Sequence, residues 1–321
     1  MAASTRTATE ALANERVAYF NGEIVPESRA VVSFRDRSFK FGDGAFDTSR
    51  TFAHRLFKLD EHLDRFFRTL RYLRIEPPLT RDRFRDITLE VLERNLHLID
   101  GHDDYWVSQR VSRGTDIPAG DIHEATGPTV IVECTPLPFK PRAPLFRDGI
   151  DVMVPSVRRA GPEAFSPRAK THNYLNLILG DEEVRRQHTG GDGRHPWAIL
   201  LDQNGHFAEG MGSNIFFVID GALVTPRDDY VLAGVTRDTV FELADDLGIA
   251  YERVDISPYD AYNADEAFIT STSFCICPVR SVSGVAMGDG AVPGPVTRRL
   301  TDAFSARVGI DFVQQYLRHL D

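Results

Sequence analysis

Cysteine is scarce in this chain, with three in 321 residues, at Cys134, Cys275 and Cys277. These are too few and too poorly spaced for a disulfide framework or a structural zinc site. Cys275-Ile276-Cys277 alternates as strand residues do, so packing is their expected role. The chain also lacks any apolar run of the ~18 residues that a membrane span requires. Residues 1–16 are polar and rich in Ala and Thr, carry Glu10 and Glu15, and show no apolar core of a signal peptide. They are expected to be a disordered tail, and the cytoplasm is the expected compartment. Positive charge is short as well. Lys and Arg total 37 against 47 Asp and Glu, a formal net charge of -10, which argues against the basic stripe that nucleic acid or an anionic membrane would need. Small molecules remain as partners, because an acidic surface does not prevent a locally basic pocket.

What is present suits a globular protein with a real core: 42% hydrophobic and 26% charged residues, long enough for two domains. Val17–Phe20 runs into Asn21-Gly22, a hairpin signal. Ala45–Phe52 and Arg55–Leu59 read as a further strand pair. Leu63, Phe66, Phe67, Leu70 and Leu73 then recur at helical spacing over 60–74, and a second helix covers about 80–98. Strands return at Tyr105–Ser112 and Thr129–Cys134. Pro136, Pro138, Pro141 and Pro144 mark 135–148 as an aperiodic linker. The expected organisation is a small domain over 17–134 and a larger one over 149–321. In the larger part, strands at Asp151–Pro155, Trp197–Leu201, Ile215–Ile219, Ala222–Thr225 and Glu266–Thr270 mix with helices at Asn173–Arg186, from Arg237, and over 294–318. The fold class is α+β, or mixed α/β.

Three fragments carry chemistry. Lys170 stands at a loop-to-helix joint, Glu209 follows the Asn204-Gly205 turn, and Leu232-Ala233-Gly234-Val235-Thr236-Arg237 opens a helix. They supply an amine, a carboxylate and a backbone anion cup with Thr236 as its N-cap. A phosphorylated pyridine aldehyde needs those three things, for its carbonyl, its ring nitrogen and its phosphate. Thr270-Ser271-Thr272-Ser273 could close the same cup with hydroxyls. Arg65, beside Leu63 and Phe66, is either turned inward toward an anion or exposed to solvent.

The chain resembles the fold-type IV pyridoxal-phosphate aminotransferases, a class holding branched-chain, D-amino-acid and (R)-amine transaminases and aminodeoxychorismate lyase. The match runs from residue 17 to the end through Phe46-Asp47, His62-Leu63-Asp64-Arg65, Lys170 to Leu175, Glu209 to Phe216, Leu232 to Arg237, and Ser271-Thr272 followed by Pro278-Val279-Arg280. The resemblance implies pyridoxal 5'-phosphate as cofactor, a small N-terminal domain, a C-terminal pseudo-barrel domain, and a homodimer. It implies that Lys170 attaches the cofactor, Tyr174 meets its ring hydroxyl and Glu209 its ring nitrogen. It further implies that Leu232 stacks on the ring, while Arg65, Val235, Thr236, Ser271 and Thr272 hold phosphate.

Two departures bear on the substrate. Trp106-Val107-Ser108 stands where branched-chain enzymes have Tyr-x-Arg, and residues 115–121 contain no arginine. The expected substrate residues are therefore Phe46, Arg50, Trp106, Ser108 and Arg110. Arg50 is the first choice for a substrate carboxylate, with a structural salt bridge as its alternative. The expectation is a transaminase exchanging an amino group between an amino donor and a 2-oxo acid, of a relaxed D-amino-acid or (R)-amine type. A branched-chain L-amino-acid aminotransferase and a lyase of the aminodeoxychorismate kind are the alternatives.

Overall fold

The computed structural model describes residues 14–187 and 195–320. They divide into two compact units, one ending at Leu137 but including Lys170–Asn173, the other holding Pro138–Ala169 and everything from Tyr174 onward.

The first unit contains β1 (Val17–Phe20), β2 (Glu23–Pro26), α1 (Arg37–Phe41), β3 (Gly44–Phe52), β4 (Arg55–Leu56), α2 (Leu59–Leu73), α3 (Arg81–Asn95), β5 (Tyr105–Ser112), β6 (Thr115–Asp116), β7 (Ala125–Thr126) and β8 (Val130–Pro136). Six strands form an antiparallel sheet in the order β2-β1-β8-β5-β3-β4. The Asn21-Gly22 turn joins β1 to β2 with positive φ at both residues, as a two-residue hairpin of this hand needs. One face of the sheet packs on α2 and α3. Leu63, Phe66 and Leu70 of α2 meet Phe84 and Val91 of α3 and Val107 and Val111 of β5 in one buried cluster. Each of the larger side chains contributes about 1.5–3 kcal/mol by leaving water. Because side chains alternate along a strand, the other face carries a separate set. Phe46, Thr48 and Arg50 on β3 stand opposite Arg110, Ser108 and Trp106 on β5.

The second unit contains α4 (Phe139–Asp148), β9 (Ile150–Met153), α5 (Leu175–Gln187), β10 (Trp197–Leu201), β11 (Phe207–Gly210), β12 (Ser213–Ile219), β13 (Ala222–Pro226), α6 (Val235–Leu247), β14 (Tyr251–Val254), α7 (Pro258–Tyr262), β15 (Glu266–Ser271), β16 (Cys275–Val282), β17 (Val285–Ala286), α8 (Pro295–Val308) and α9 (Phe312–Leu317). Its sheet runs β11-β10-β9-β16-β15-β12-β13-β14, and β11 also pairs with β12. That extra pairing closes six of the strands into the pseudo-barrel. The architecture is the mixed α+β one expected.

Several boundaries differ from the sequence reading. Residues 135–148 are not an aperiodic linker: β8 runs to Pro136 and α4 follows. Pro141 lies in the first turn of α4, where its missing N–H is no loss. Phe139, Ala143 and Phe146 form a buried stripe, with Phe146 stacked on Tyr316 at 4.2 Å. The start of the tail, residues 1–13, lies outside the described residues. Its last residues are held, since Glu15 accepts from the Ser28 amide at 2.8 Å and Arg16 pairs with Glu27 at 2.8 Å. Leu59 opens α2 rather than ending β4. Gly309, in the left-handed conformation, ends α8 and splits the expected 294–318 helix in two. Helix α6 starts at Val235 with Gly234 as its N-cap, so Thr236 sits inside the first turn and is not the cap.

Candidate active site

In the first unit Lys170 is nine-tenths buried, with 9% of its surface exposed. Its amide donates to Thr69 Oγ1 at 3.1 Å, and its carbonyl accepts from the Phe46 amide at 3.0 Å. Its Nζ lies 4.5 Å from the centroid of the Phe46 ring. His172 stacks on the same ring at 5.6 Å and Arg110 lies over it at 5.2 Å. Phe46 is thus the platform on which the amine is held. Burial pushes His172 down to about 4, helped by the Arg110 charge and opposed by Asp36. The ring is therefore neutral near pH 7, with Nδ1 at 2.7 Å from Ser38 Oγ.

Asp47 points to the other face of β3. Arg65 grips it with Nε at 2.8 Å and Nη2 at 2.7 Å, and His62 Nδ1 lies 2.8 Å away. Burial raises the Asp47 carboxyl, but the Arg65 charge and the His62 bond outweigh it and hold it well below the usual carboxylate range. Burial likewise pushes His62 down, against the pull of Asp47. Arg65 is inward, as one sequence alternative had it, and one edge of its fork is committed to Asp47.

Arg50 is deeply buried. Only 2% exposed, it donates from Nε to Thr51 O at 3.0 Å, lies over Phe52 at 4.1 Å, and faces buried Asp104 across 3.8 Å. Asp104 also accepts from Thr51 Oγ1 at 2.5 Å and the His54 amide at 3.0 Å. These contacts fit the structural salt bridge given as the alternative role of Arg50. Ser108 meets Thr48 Oγ1 at 2.9 Å, and Arg110 pairs with Glu133 at 3.3 Å. Trp106 is half-buried on the same sheet face.

In the second unit, strand register builds a row. Glu209 on β11 stands opposite Asn214 on β12, which stands opposite Thr270 on β15. Glu209 accepts from Arg159 Nε at 3.0 Å and from the Leu232 amide at 2.8 Å. Asn214 donates to Leu232 O at 3.1 Å. A buried carboxylate held in this way is the group that would keep a pyridine nitrogen protonated. Arg159 was not singled out in the sequence; its partner lies fifty residues away, and no local spacing marks it. The first turn of α6 has no side-chain cap. A Cβ on Gly234 would fall 2.2 Å from Asn214 Oδ1, so only glycine lets that helix end approach the row. Thr270 Oγ1 is buried with no hydrogen-bond partner among the described residues. Ser271 Oγ accepts from the Phe274 amide at 3.0 Å, and Ser271 and Thr272 are half-buried at the mouth of the β15–β16 turn. Tyr174, half-buried, directly precedes α5. An acidic acceptor, a bare helix N-terminus and an unsatisfied hydroxyl fit a phosphorylated pyridine.

A family model described as "Amino-transferase class IV" matches residues 44–282. The branched-chain-amino-acid aminotransferase of Escherichia coli K12 is 33% identical over 293 residues, covering 89% of this chain and 91% of that one. The solved E. coli branched-chain enzyme aligns with a TM-score of 0.81 at 30% identity, over 91% of this chain and 94% of that one. The branched-chain enzyme of Thermobaculum terrenum, solved in its PLP-bound holo form, gives 0.79 at 26% identity, over 95% and 97%. The chain belongs to the class IV aminotransferases and is a pyridoxal-phosphate-dependent transaminase of fold type IV.

Proposed function

We propose that the protein transfers the amino group of branched-chain L-amino acids to a 2-oxo acid. The observation that carries this is the 33% identity to a branched-chain enzyme over nine-tenths of both chains. It favours the reading held second in the sequence over the relaxed D-amino-acid or (R)-amine type. The half-buried aromatic surface of Phe46 and Trp106 on one sheet face suits an aliphatic side chain. A lyase acting on a carboxylate-rich substrate is less well supported, since Arg50 and Arg110 face Asp104 and Glu133.

Pyridoxal phosphate supplies the electron sink that stabilises negative charge on the substrate α-carbon. Lys170 Nζ would be its attachment point, and the freed amine would take up and return the substrate's α-proton. Glu209, oriented by Arg159, would hold the ring nitrogen protonated, and Tyr174 would meet the ring hydroxyl. Leu232 would pack on the ring. In the second unit the amides of Val235 and Thr236 and the hydroxyls of Ser271 and Thr272 would hold phosphate; for Arg65 in the first unit that role remains what the family resemblance implies. Phe46, Trp106 and Ser108 border the substrate. The working form is a cytoplasmic homodimer, a reading supported by large apolar side chains exposed in the first unit, Phe34 and Phe39 at 70% and 73%.

A donor comparison tests the substrate. With 2-oxoglutarate as acceptor, kcat/KM for L-leucine, L-isoleucine and L-valine should exceed that for D-alanine and (R)-1-phenylethylamine by more than tenfold. A higher value for either of the last two would overturn the reading.

A further inference from the structure

The segment that carries Lys170 runs extended against the start of β3. Thr171 bridges to Ala45, the Phe46 amide donates to Lys170 O at 3.0 Å, and the His172 amide donates to Gly44 O at 2.9 Å. Side chains alternate along extended chain, so Lys170 and His172 emerge on one side. The Phe46 ring meets both. Lys170 Nζ is 4.5 Å from its centroid, and the His172 ring stacks on it at 5.6 Å with 25° between the planes.

Gly44 leaves room for an anchor. A Cβ there would fall 2.1 Å from Ser38 Oγ and 2.8 Å from His172 Nδ1, so a side chain at this position would disturb the 2.7 Å bond between those two atoms. Through that bond α1 holds the imidazole, and the imidazole contacts the ring beside the amine. His172 Nε2 is buried with no hydrogen-bond partner among the described residues. A buried nitrogen left unsatisfied costs stability, so an apolar side chain would serve packing at least as well. What the histidine adds is an aromatic ring tied at one edge to α1.

We propose that His172 is a positioning residue for Lys170: tied to Ser38, it holds the Phe46 ring, and the ring fixes where Nζ sits. This rests on the reading that Lys170 is the cofactor lysine. Lysine carries its amine on a flexible four-carbon stem. Misplacing a reacting atom by about 1 Å can cost roughly a hundredfold in rate, so a fixed surface beside Nζ bears directly on the proton transfer.

The test compares His172→Leu, His172→Phe and Ser38→Ala with the unaltered protein. The first readout uses the apoprotein: acetylation of Lys170 by acetic anhydride relative to that of Lys140, by peptide mass spectrometry. In His172→Leu the relative labelling of Lys170 should rise about two- to fivefold, the size of a lost contact with a ring face. The second uses holoenzyme and the amino donor of highest kcat/KM, following the donor half-reaction by cofactor absorbance. Its limiting rate should fall about ten- to a hundredfold in His172→Leu, while the apparent dissociation constant of the donor changes far less. His172→Phe keeps the stack and loses the bond to Ser38, so it should fall between, with Ser38→Ala beside it. Ser38→Ala carries the test alone if the His172 variants do not fold. A merely structural role would lower the urea midpoint and leave labelling and limiting rate as they are, and that result overturns the proposal. So does a slower rate with unchanged labelling, or a loss confined to the dissociation constant. Borohydride reduction of the unaltered holoenzyme separates the premise. A pyridoxyl label away from Lys170 overturns the reading of that lysine and the proposal with it, whereas a label on Lys170 with indifferent variants overturns His172 alone.

Discussion

At the scale of single residues, the first unit depends on a few buried charges. Asp47 is fully buried and satisfied by Arg65 and His62. Replacing it with Asn leaves a buried guanidinium without its counter-charge, so Asp47→Asn should lower the unfolding free energy by about 3–5 kcal/mol, measured by urea denaturation. Because its folded carboxyl lies below the ordinary value, its contribution is complete above about pH 4 and is lost as the pH falls further. His172 acts in a different window. The unfolded chain takes up a proton at this residue below about pH 6.5, whereas the folded ring resists until about 4, so stability falls as pH drops between those values. His172→Gln should flatten that limb of the stability curve. An unchanged limb would mean that other groups produce it. For Lys170, borohydride followed by peptide mapping should place the pyridoxyl label on that residue, and Lys170→Ala should nearly abolish turnover. A label recovered elsewhere would refute the assignment.

At the scale of elements, the hairpin at Asn21-Gly22, the strand Tyr105–Ser112 and the helix bearing Leu63, Phe66 and Leu70 were legible because their signals are local. Turn chemistry and side-chain period lie within a few neighbouring residues. Helix α4 was hidden because its prolines read as punctuation, although Phe139, Ala143 and Phe146 already repeat at helical spacing. The motif residues of the candidate site were legible in order, but their partners were not. Neither Arg159 beside Glu209 nor Asp104 facing Arg50 leaves any trace in spacing, because those pairs form only when distant segments meet. The cup itself depends on one element end. A methyl group on Gly234 collides with Asn214 Oδ1, so Gly234→Ala should push α6 away from the Glu209 row and weaken cofactor affinity by about tenfold or more. Titration of the apoprotein, followed by cofactor absorbance, measures this, and wild-type affinity would show that the helix end is not the phosphate cradle.

At the scale of the molecule, Val31, Phe34, Phe39 and Phe41 leave a cluster of apolar side chains exposed within a short stretch of the first unit. Such surface is costly in water and would be covered in the proposed homodimer. Sedimentation at micromolar concentration should give twice the 36.0 kDa of one chain. Substituting Phe34 and Phe39 with Ser should shift the mass toward one copy, and a fully active monomer would refute the dimer. The same unit has an unusual dependence on synthesis. Thr171 bridges to Ala45, the His172 amide bonds Gly44 O, and the Lys170 amide bonds Thr69 Oγ1. A ribosome that has released only the first 137 residues has therefore not delivered everything this unit contains. The β3 edge must wait while more than thirty further residues emerge, until Lys170 arrives to complete it.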